Sequence, residues 1–317
     1  MKNNVLYTHD DLDGVGCAIL AKLAFKDEVD IVYCRDNKEC TRSMLSLVPN
    51  HLFKACERIF VTDLSFDKNA FENKKIFSKI KLFDHHDTTI IDFEKEKYAY
   101  VKKDIDGIQT CGTQLFEQYL IKKGWIENRN FFVEQIRLYD TWEWTKHTSK
   151  LPYYLNILRY GLGITKFVDI FTERLKKKDV NELNIFNQYE RDIITFKIKE
   201  NEKNIESYLS NVRIVNTKHG KFGFVFIGNE CDVSNLGHAM CDKYDIDIAV
   251  MAKPNSGKMS FRTNRTDINV GILLRDIFGK SAGGHASSAG AKVNDDIVQN
   301  MILSMMKQFG DIEVLSM

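Results

Sequence analysis

No run of about 18 apolar residues occurs in this sequence, so no helix able to cross a bilayer is predicted. The opening Met1-Lys2-Asn3-Asn4 passes directly into a strand-like segment, without the apolar stretch and cleavage site of a secretory signal, and a cytoplasmic protein is expected. Cysteine is sparse and scattered. The seven residues, at 17, 34, 40, 56, 111, 231 and 241, are odd in number and never spaced as CxxC. That distribution argues against a disulfide framework or a zinc knuckle and leaves free thiols acting as small buried hydrophobes. An excess of charge of either sign is also lacking: 45 Lys and Arg stand against 44 Asp and Glu, a net of +1. Proteins that grip long nucleic acid through its phosphates usually carry a strong basic excess. The small basic cluster here, Arg174 with Lys176, Lys177 and Lys178, reads as a solvated helix face. A small anionic substrate suits this balance better than a long polymer. Internal repeats and low-complexity segments are absent.

What is present describes a globular protein: 44% hydrophobic and 28% charged residues. A chain of 317 residues has room for two domains of ordinary size. In the first half, apolar strand-like runs at Val5–Thr8, Val29–Tyr33, Ile59–Thr62 and Ile80–Phe83 alternate with helical patterns such as Gly14–Phe25. Such alternation predicts a parallel sheet with helices on both faces. After residue 110 the pattern turns helical, at Gly112–Lys122 and Phe131–Asp140, and ends in a charged connector from about Asn181 to Leu209. The pattern then changes. Strands are predicted at Val212–Val215, Phe222–Ile227, Ile246–Ala252 and Lys258–Arg262, with a helix at Ser234–Lys243 and turns at His219-Gly220-Lys221 and Pro254–Gly257. The domain boundary therefore falls near residues 185–210.

The strongest chemical signal is the position of the acidic and histidine residues. His9, Asp11 and Asp13 follow the first strand, Asp63 ends the third, and Asp84-His85-His86 ends the fourth. In an open parallel sheet the carboxyl ends of the strands share one edge, where ligands bind. So many acids in one place would repel one another and be costly to bury. Divalent cations resolve that conflict, so a metal site is implied. Residues 9, 11 and 13 share one side if the segment starts extended and then turns. Gly14 would let the backbone approach metal or phosphate closely and lead into the helix. The competing explanation for residues 9–14 is an acidic helix N-terminus, where Asp is favoured anyway.

His9-x-Asp11-x-Asp13-Gly14, Val61-Thr62-Asp63-Leu64 and Phe83-Asp84-His85-His86 resemble the first three motifs of the DHH phosphoesterases. Asp140, in Leu138–Trp144, resembles the fourth, and Gly283-Gly284-His285-Ala286-Ser287-Ser288-Ala289-Gly290 is similar to the glycine-rich motif of the DHH-associated domain. The resemblance runs from residue 5 to about 293, and the Tyr139–Trp144 and His9–Ala18 stretches look most like the bacterial oligoribonucleases called nanoRNase B. It implies a two-lobed α/β protein. Residues 1–185 would form a DHH catalytic domain with a doubly wound, mainly parallel sheet, residues 186–211 a helical linker, and residues 212–317 a smaller α/β substrate-binding domain.

By resemblance, two Mn²⁺ ions are expected, with Mg²⁺ or Co²⁺ as substitutes. His9, Asp11 and Asp63 would hold one; Asp13, Asp63, His85 and Asp140 would hold the other. Asp63 would bridge, Asp84 would support from behind, and His86 would face the scissile phosphate. Oxygen-rich ligands with two imidazoles suit Mn²⁺, and a pair at about 3.5–4 Å would activate a water for in-line attack on phosphorus. Substrate contacts would come from Arg262 as a phosphate clamp, Arg265 assisting it, the backbone of Gly283-Gly284, and His285. The motif usually opens with three glycines and here begins with Ala282, whose methyl group either narrows the pocket or has no effect.

The implied activity is hydrolysis of short oligoribonucleotides to mononucleotides, with short RNA or a dinucleotide as partner and a homodimer as a possible assembly. Competing readings are a RecJ-type single-strand exonuclease, a cyclic or linear dinucleotide phosphodiesterase, an adenosine 3′,5′-bisphosphate phosphatase, a pyrophosphatase, or a binding protein that has lost catalysis. Trp142 and Trp144 could stack on a base, although core packing is the commoner use. His51, His147, His219 and His238 have no motif around them.

Overall fold

The computed structural model describes residues 2–47, 56–177, 179–228, 231–279 and 282–292. His51, Lys178 and the predicted domain's last stretch, from residue 293, lie outside them. The chain forms two compact units, Met1–Ile198 and Lys199–Met317.

The first unit is built on a five-stranded sheet in the order β2-β1-β3-β4-β5. Its strands are β1 (Asn4–His9), β2 (Val29–Cys34), β3 (Arg58–Thr62), β4 (Ile80–Asp84) and β5 (Ala99–Val101), and every pairing is parallel. Side chains alternate across the sheet. Leu6, Phe60 and Phe83 enter one core, with α1 (Leu12–Phe25), α4 (Gly112–Lys122), α5 (Asn130–Asp140), α6 (Leu151–Leu162) and α7 (Ile164–Leu175). Val5, Tyr7, Val61 and Leu82 enter the other, with α2 (Asn37–Leu47) and α3 (Asp87–Phe93). Both faces are covered, which is why the central strands read as unbroken apolar runs. The predicted doubly wound parallel sheet is the observed one. Strand β5 and the small hairpin of β6 (Asp104–Ile105) and β7 (Ile108–Gln109) were not anticipated. They are two or three residues long and at most half-buried, so no apolar pattern marks them.

Helix α8 (Gln188–Leu209) begins later than the charged connector suggested. Asn187 and Glu190 form a reciprocal capping box: the Asn187 side chain accepts from the Glu190 amide at 2.9 Å, and the Glu190 carboxylate accepts from the Asn187 amide at 2.9 Å. Upstream, Asn181 and Asn184 side chains bond nearby backbone and hold a turn instead. Arg174 is not part of a solvated face. Its guanidinium meets the buried Glu190 carboxylate at 2.7 and 3.0 Å, tying α7 to α8, while Lys176 pairs with Glu173 on the surface.

The second unit holds a six-stranded sheet in the order β12-β13-β11-β10-β9-β8. The strands are β8 (Arg213–Thr217), β9 (Gly220–Phe226), β10 (Ile248–Lys253), β11 (Lys258–Arg262), β12 (Ala282–Gly284) and β13 (Ser288–Lys292). Among the described strands of this sheet, only the β9–β10 pair is parallel. Helix α9 (Val233–Tyr244) packs on Val225, Ala249 and Met251, and α10 (Val270–Phe278) packs on Val250, Phe261 and Ala289. Each starts at a side-chain cap, Asp232 and Asn269 respectively. This is an α/β unit as expected.

Candidate metal centre

Strands β1, β3 and β4 are adjacent and parallel, so their carboxyl ends open on one edge. His9 is the last residue of β1 and Asp84 the last of β4, while Asp63 stands immediately after β3. Asp11 caps α1 by accepting from the Gly14 amide at 3.0 Å, and Asp13 lies in the first turn of that helix. Asp140 is the last residue of α5. The turn out of β1 is tight. A side chain at Gly14 would start 2.1 Å from the His9 carbonyl oxygen, so glycine is needed for packing against the strand end.

The distances divide the acids and imidazoles into two groups. His9 Nδ1 lies 2.8 Å from Asp11 Oδ2 and 3.7 Å from Asp63 Oδ2. His85 Nε2 lies 3.3 Å from Asp140 Oδ2, 3.6 Å from Asp63 Oδ1 and 3.7 Å from Asp13 Oδ2. One Asp63 oxygen thus faces each group. Ligand atoms of His9, Asp11 and Asp63 lie within 4.8 Å of one another, as do those of Asp13, His85 and Asp140. A third overlapping set contains Asp63, Asp84, His85 and His86. Behind them, His86 Nδ1 meets Asp84 Oδ1 at 2.7 Å, and the same oxygen accepts from the His85 amide at 2.8 Å.

Asp63 is a point of electrostatic conflict. It is 2% exposed and its backbone sits at φ 55°, a left-handed conformation uncommon for a residue other than glycine. Among the described residues, neither of its carboxylate oxygens has a hydrogen-bond partner, nor does Asp140 Oδ2. Burial, then the carboxylates of Asp11, Asp13 and Asp140, push the Asp63 pKa well above the usual range. Asp140 is pushed up likewise by burial and by Asp13 and Asp11. Burial would also raise Asp11, but the His9 imidazole reverses this and holds it low. For His9, burial pulls the pKa down and Asp11 outweighs that, raising it to about 9. Asp84 is held low because His86 and His85 outweigh its burial. Buried carboxylate oxygens without donors, arranged around two imidazoles, are what a hard-to-borderline divalent cation coordinates. The residues fit such ions.

Asp13 is oriented by backbone from a distant part of the chain. Its carboxylate accepts from the backbone amides of Gly112 (2.6 Å) and Thr113 (2.8 Å) at the start of α4. A side chain at Gly112 would start 2.9 Å from Asp13 Oδ2 and 3.0 Å from the Asp63 backbone. No local pattern signals this, because the partners are about a hundred residues apart.

Residues 219–310 match the DHHA1 domain family. Over 305 residues the chain is 31% identical to the oligoribonuclease NrnB of Bacillus subtilis, covering 93% of this chain and 74% of that protein. The chain belongs to the DHH phosphoesterase family. The DHH fold extends to solved structures at low identity. The pGpG-specific phosphodiesterase PggH from Vibrio cholerae is 13% identical with a TM-score of 0.52, covering 97% of this chain and 98% of its own. RecJ from Thermus thermophilus, solved in complex with Mn²⁺, is 10% identical with a TM-score of 0.56, covering 97% of this chain and 52% of its own.

The remaining predicted site residues of this DHH protein lie in its second unit. Arg262, at the end of β11, donates to the Phe261 carbonyl at 2.8 Å and to Ser234 Oγ at 3.0 Å. Arg265, expected to assist that clamp, has its guanidinium held by Asp247 at 2.7 Å and by both oxygens of Asp267 at 2.9 and 2.8 Å. Gly283 and Gly284 form the end of β12, where a side chain on Gly284 (φ 148°) would start 2.4 Å from the Ser288 carbonyl oxygen. The His285 amide donates to that same carbonyl at 2.7 Å, so this turn is closed by its own backbone. Ala282 turns its methyl group into the core formed with Val250, Phe261 and Leu274.

Trp142 and Trp144 pack together in the first unit. Trp144 is 7% exposed and stacks on Tyr153 at 5.0 Å, and Trp142 packs edge-on against Trp144 at 5.4 Å. No helix among the described residues is long and apolar enough to cross a membrane.

Proposed function

We propose that this DHH protein is a two-cation, Mn²⁺-using phosphodiesterase that hydrolyses short oligoribonucleotides to mononucleotides. The observation that carries this reading is Asp63, buried, without hydrogen-bond donors, and set with one oxygen towards His9 and the other towards His85. His9, Asp11 and Asp63 would hold one cation, and Asp13, Asp63, His85 and Asp140 the other. Cations bound there supply Lewis acidity towards the phosphoryl oxygens and lower the pKa of water. The chain's own part is positional. The α4 amides aim Asp13, and Asp84 fixes the ring of His86 through Nδ1. Nε2 of His86 is then the nitrogen assigned to stabilising charge at the phosphoryl group. Substrate selection is assigned to the second unit, with Arg262 and Gly283-Gly284-His285 as its residues.

Two facts support a short RNA substrate: the 31% identity to an oligoribonuclease and the net charge of +1, which offers little for holding a long polyanion. The test is a Mn²⁺-dependent time course on end-labelled RNA of two, five and twenty-four residues, beside matched DNA and adenosine 3′,5′-bisphosphate. Rapid loss of the shortest RNA, with the long strands nearly intact, is expected. Preference for long DNA would overturn the reading in favour of a processive single-strand exonuclease, and preference for the bisphosphate in favour of a phosphatase.

A further inference from the structure

Helix α6 carries a buried pair that the reaction described above does not use. Asn156 is 4% and Arg159 5% exposed. Arg159 Nη1 donates to the carbonyl oxygen of Asp10 at 2.8 Å, in the turn between His9 and Asp11. Its Nε and Nη2 both donate to Asn156 Oδ1, at 3.3 and 3.1 Å. Asn156 Nδ2 in turn donates to the Tyr139 hydroxyl oxygen at 2.6 Å, and Tyr139 directly precedes Asp140. Tyr160 places its ring 4.0 Å from the guanidinium carbon, completing the enclosure.

This network joins chain segments that carry both ligand groups. It begins on the turn that carries His9 and Asp11 and ends beside Asp140, so it touches the backbone of one ligand group and the neighbour of the other. The choice of acceptors is informative. A buried guanidinium ordinarily takes a carboxylate. Here it takes a main-chain carbonyl and a side-chain amide, which leaves the Asp11, Asp63 and Asp140 oxygens for cations. A guanidinium bonded to those oxygens would compete with the metal; one bonded a step behind them orients them without occupying their lone pairs.

We propose that Asn156 and Arg159 form a positioning clamp that sets the spacing between the two cation half-sites. The proposal rests on the two-cation reading and concerns the geometry of the pair, not the chemical step. Partners behind metal ligands typically change metal affinity or activity by about 10- to 100-fold when removed.

The test compares wild type with Arg159→Lys, Arg159→Met, Asn156→Ala and the Asn156→Ala/Arg159→Met double variant. Mn²⁺ affinity and stoichiometry are read by calorimetric titration, and the Mn²⁺–Mn²⁺ interaction by electron paramagnetic resonance. Tyr139→Phe, which removes one hydroxyl and keeps the ring, covers the case in which a larger change prevents folding. Wild type is expected to bind two ions with an exchange-coupled spectrum. Arg159→Lys, Arg159→Met and Asn156→Ala are expected to weaken binding about 10- to 100-fold and to lose or broaden the coupled signal. The double variant is expected to be no worse than its worse single, because the residues act as one unit. Tyr139→Phe is expected to show the same change in smaller degree.

Unchanged affinity and coupling in all variants would overturn the clamp. So would a wild-type-like Arg159→Lys beside a tighter-binding Arg159→Met, since that pattern means the residue acts through its charge alone. Wild type that binds fewer than two ions would defeat the two-cation reading, a separate failure visible before any variant is made.

Discussion

Two buried acids in the first unit show how differently one residue type can be used. Asp63 is held in a left-handed conformation with both oxygens unbonded, a conflict that a cation would relieve. Glu117, on α4, is 2% exposed and accepts from the Arg129 amide instead. Burial pushes its pKa up to about 7, with the Arg129 amide and side chain opposing the shift. A carboxyl raised in the folded state stabilises the fold fully below its unfolded pKa, and that contribution is lost as pH rises through the folded value. Glu117 should therefore cost stability progressively between about pH 4.5 and 7, by at most ~3 kcal/mol. Glu117→Gln keeps the acceptor and removes the charge. Its unfolding temperature relative to wild type should rise across that interval and level off above it; a difference independent of pH would show that Glu117 does not titrate there.

At the scale of elements, helices α7 and α8 are joined by a pair buried on one side. Arg174 bonds the Glu190 carboxylate through both terminal nitrogens and also reaches the Ile185 carbonyl. Glu190 additionally caps its own helix through the Asn187 amide. Removing the cation alone leaves a carboxylate in a dry site, which typically costs about 3–5 kcal/mol. Arg174→Met is thus expected to lower stability by about that amount in urea unfolding, and Arg174→Met with Glu190→Gln to recover part of it. A single variant as stable as wild type would mean that Glu190 finds solvent when the helices part. The same scale explains why Gly14 and Gly112 are glycines. Each sits where one backbone passes another at the metal centre, so element packing decides the residue.

For the molecule as a whole, the crowding of carboxylates in the first unit predicts a stability that depends on divalent cations. A ligand at a hundred times its Kd stabilises the folded state by about 2.7 kcal/mol. At roughly 2–4 °C per kcal/mol for a unit of this size, scanning calorimetry on the full chain should show a rise of about 5–10 °C with Mn²⁺. Chelator should reverse it. Asp63→Asn should raise the unfolding temperature of the metal-free protein by relieving repulsion, and should abolish most of the Mn²⁺-induced rise. An unchanged transition with excess Mn²⁺ would count against cations in this cluster.

The parallel sheet and its site edge were legible from sequence because they depend on local facts. Apolar runs of strand length, buried on both faces, mark β1, β3 and β4, and the acids and histidines fall directly after them. Helix α4 was placed to the residue for the same reason: its apolar spacing and its glycine start are local. The later start of α8 turned on a competition between asparagine turns and a capping box, which periodicity does not register.

The sequence by itself determined the α/β class, the order of strands and helices that makes the sheet doubly wound, and the set of acids and imidazoles at its edge. Only the tertiary structure decided how those side chains divide into two groups around Asp63, that Asp13 is aimed by the amides of Gly112 and Thr113, and that Arg265 is held by Asp247 and Asp267. It alone shows Arg159 reaching Asp10 from 149 positions away. The reason is physical: hydrophobic periodicity is written into neighbouring residues, whereas the partner of a buried polar group is chosen by whatever the packed elements bring within about 3 Å of it.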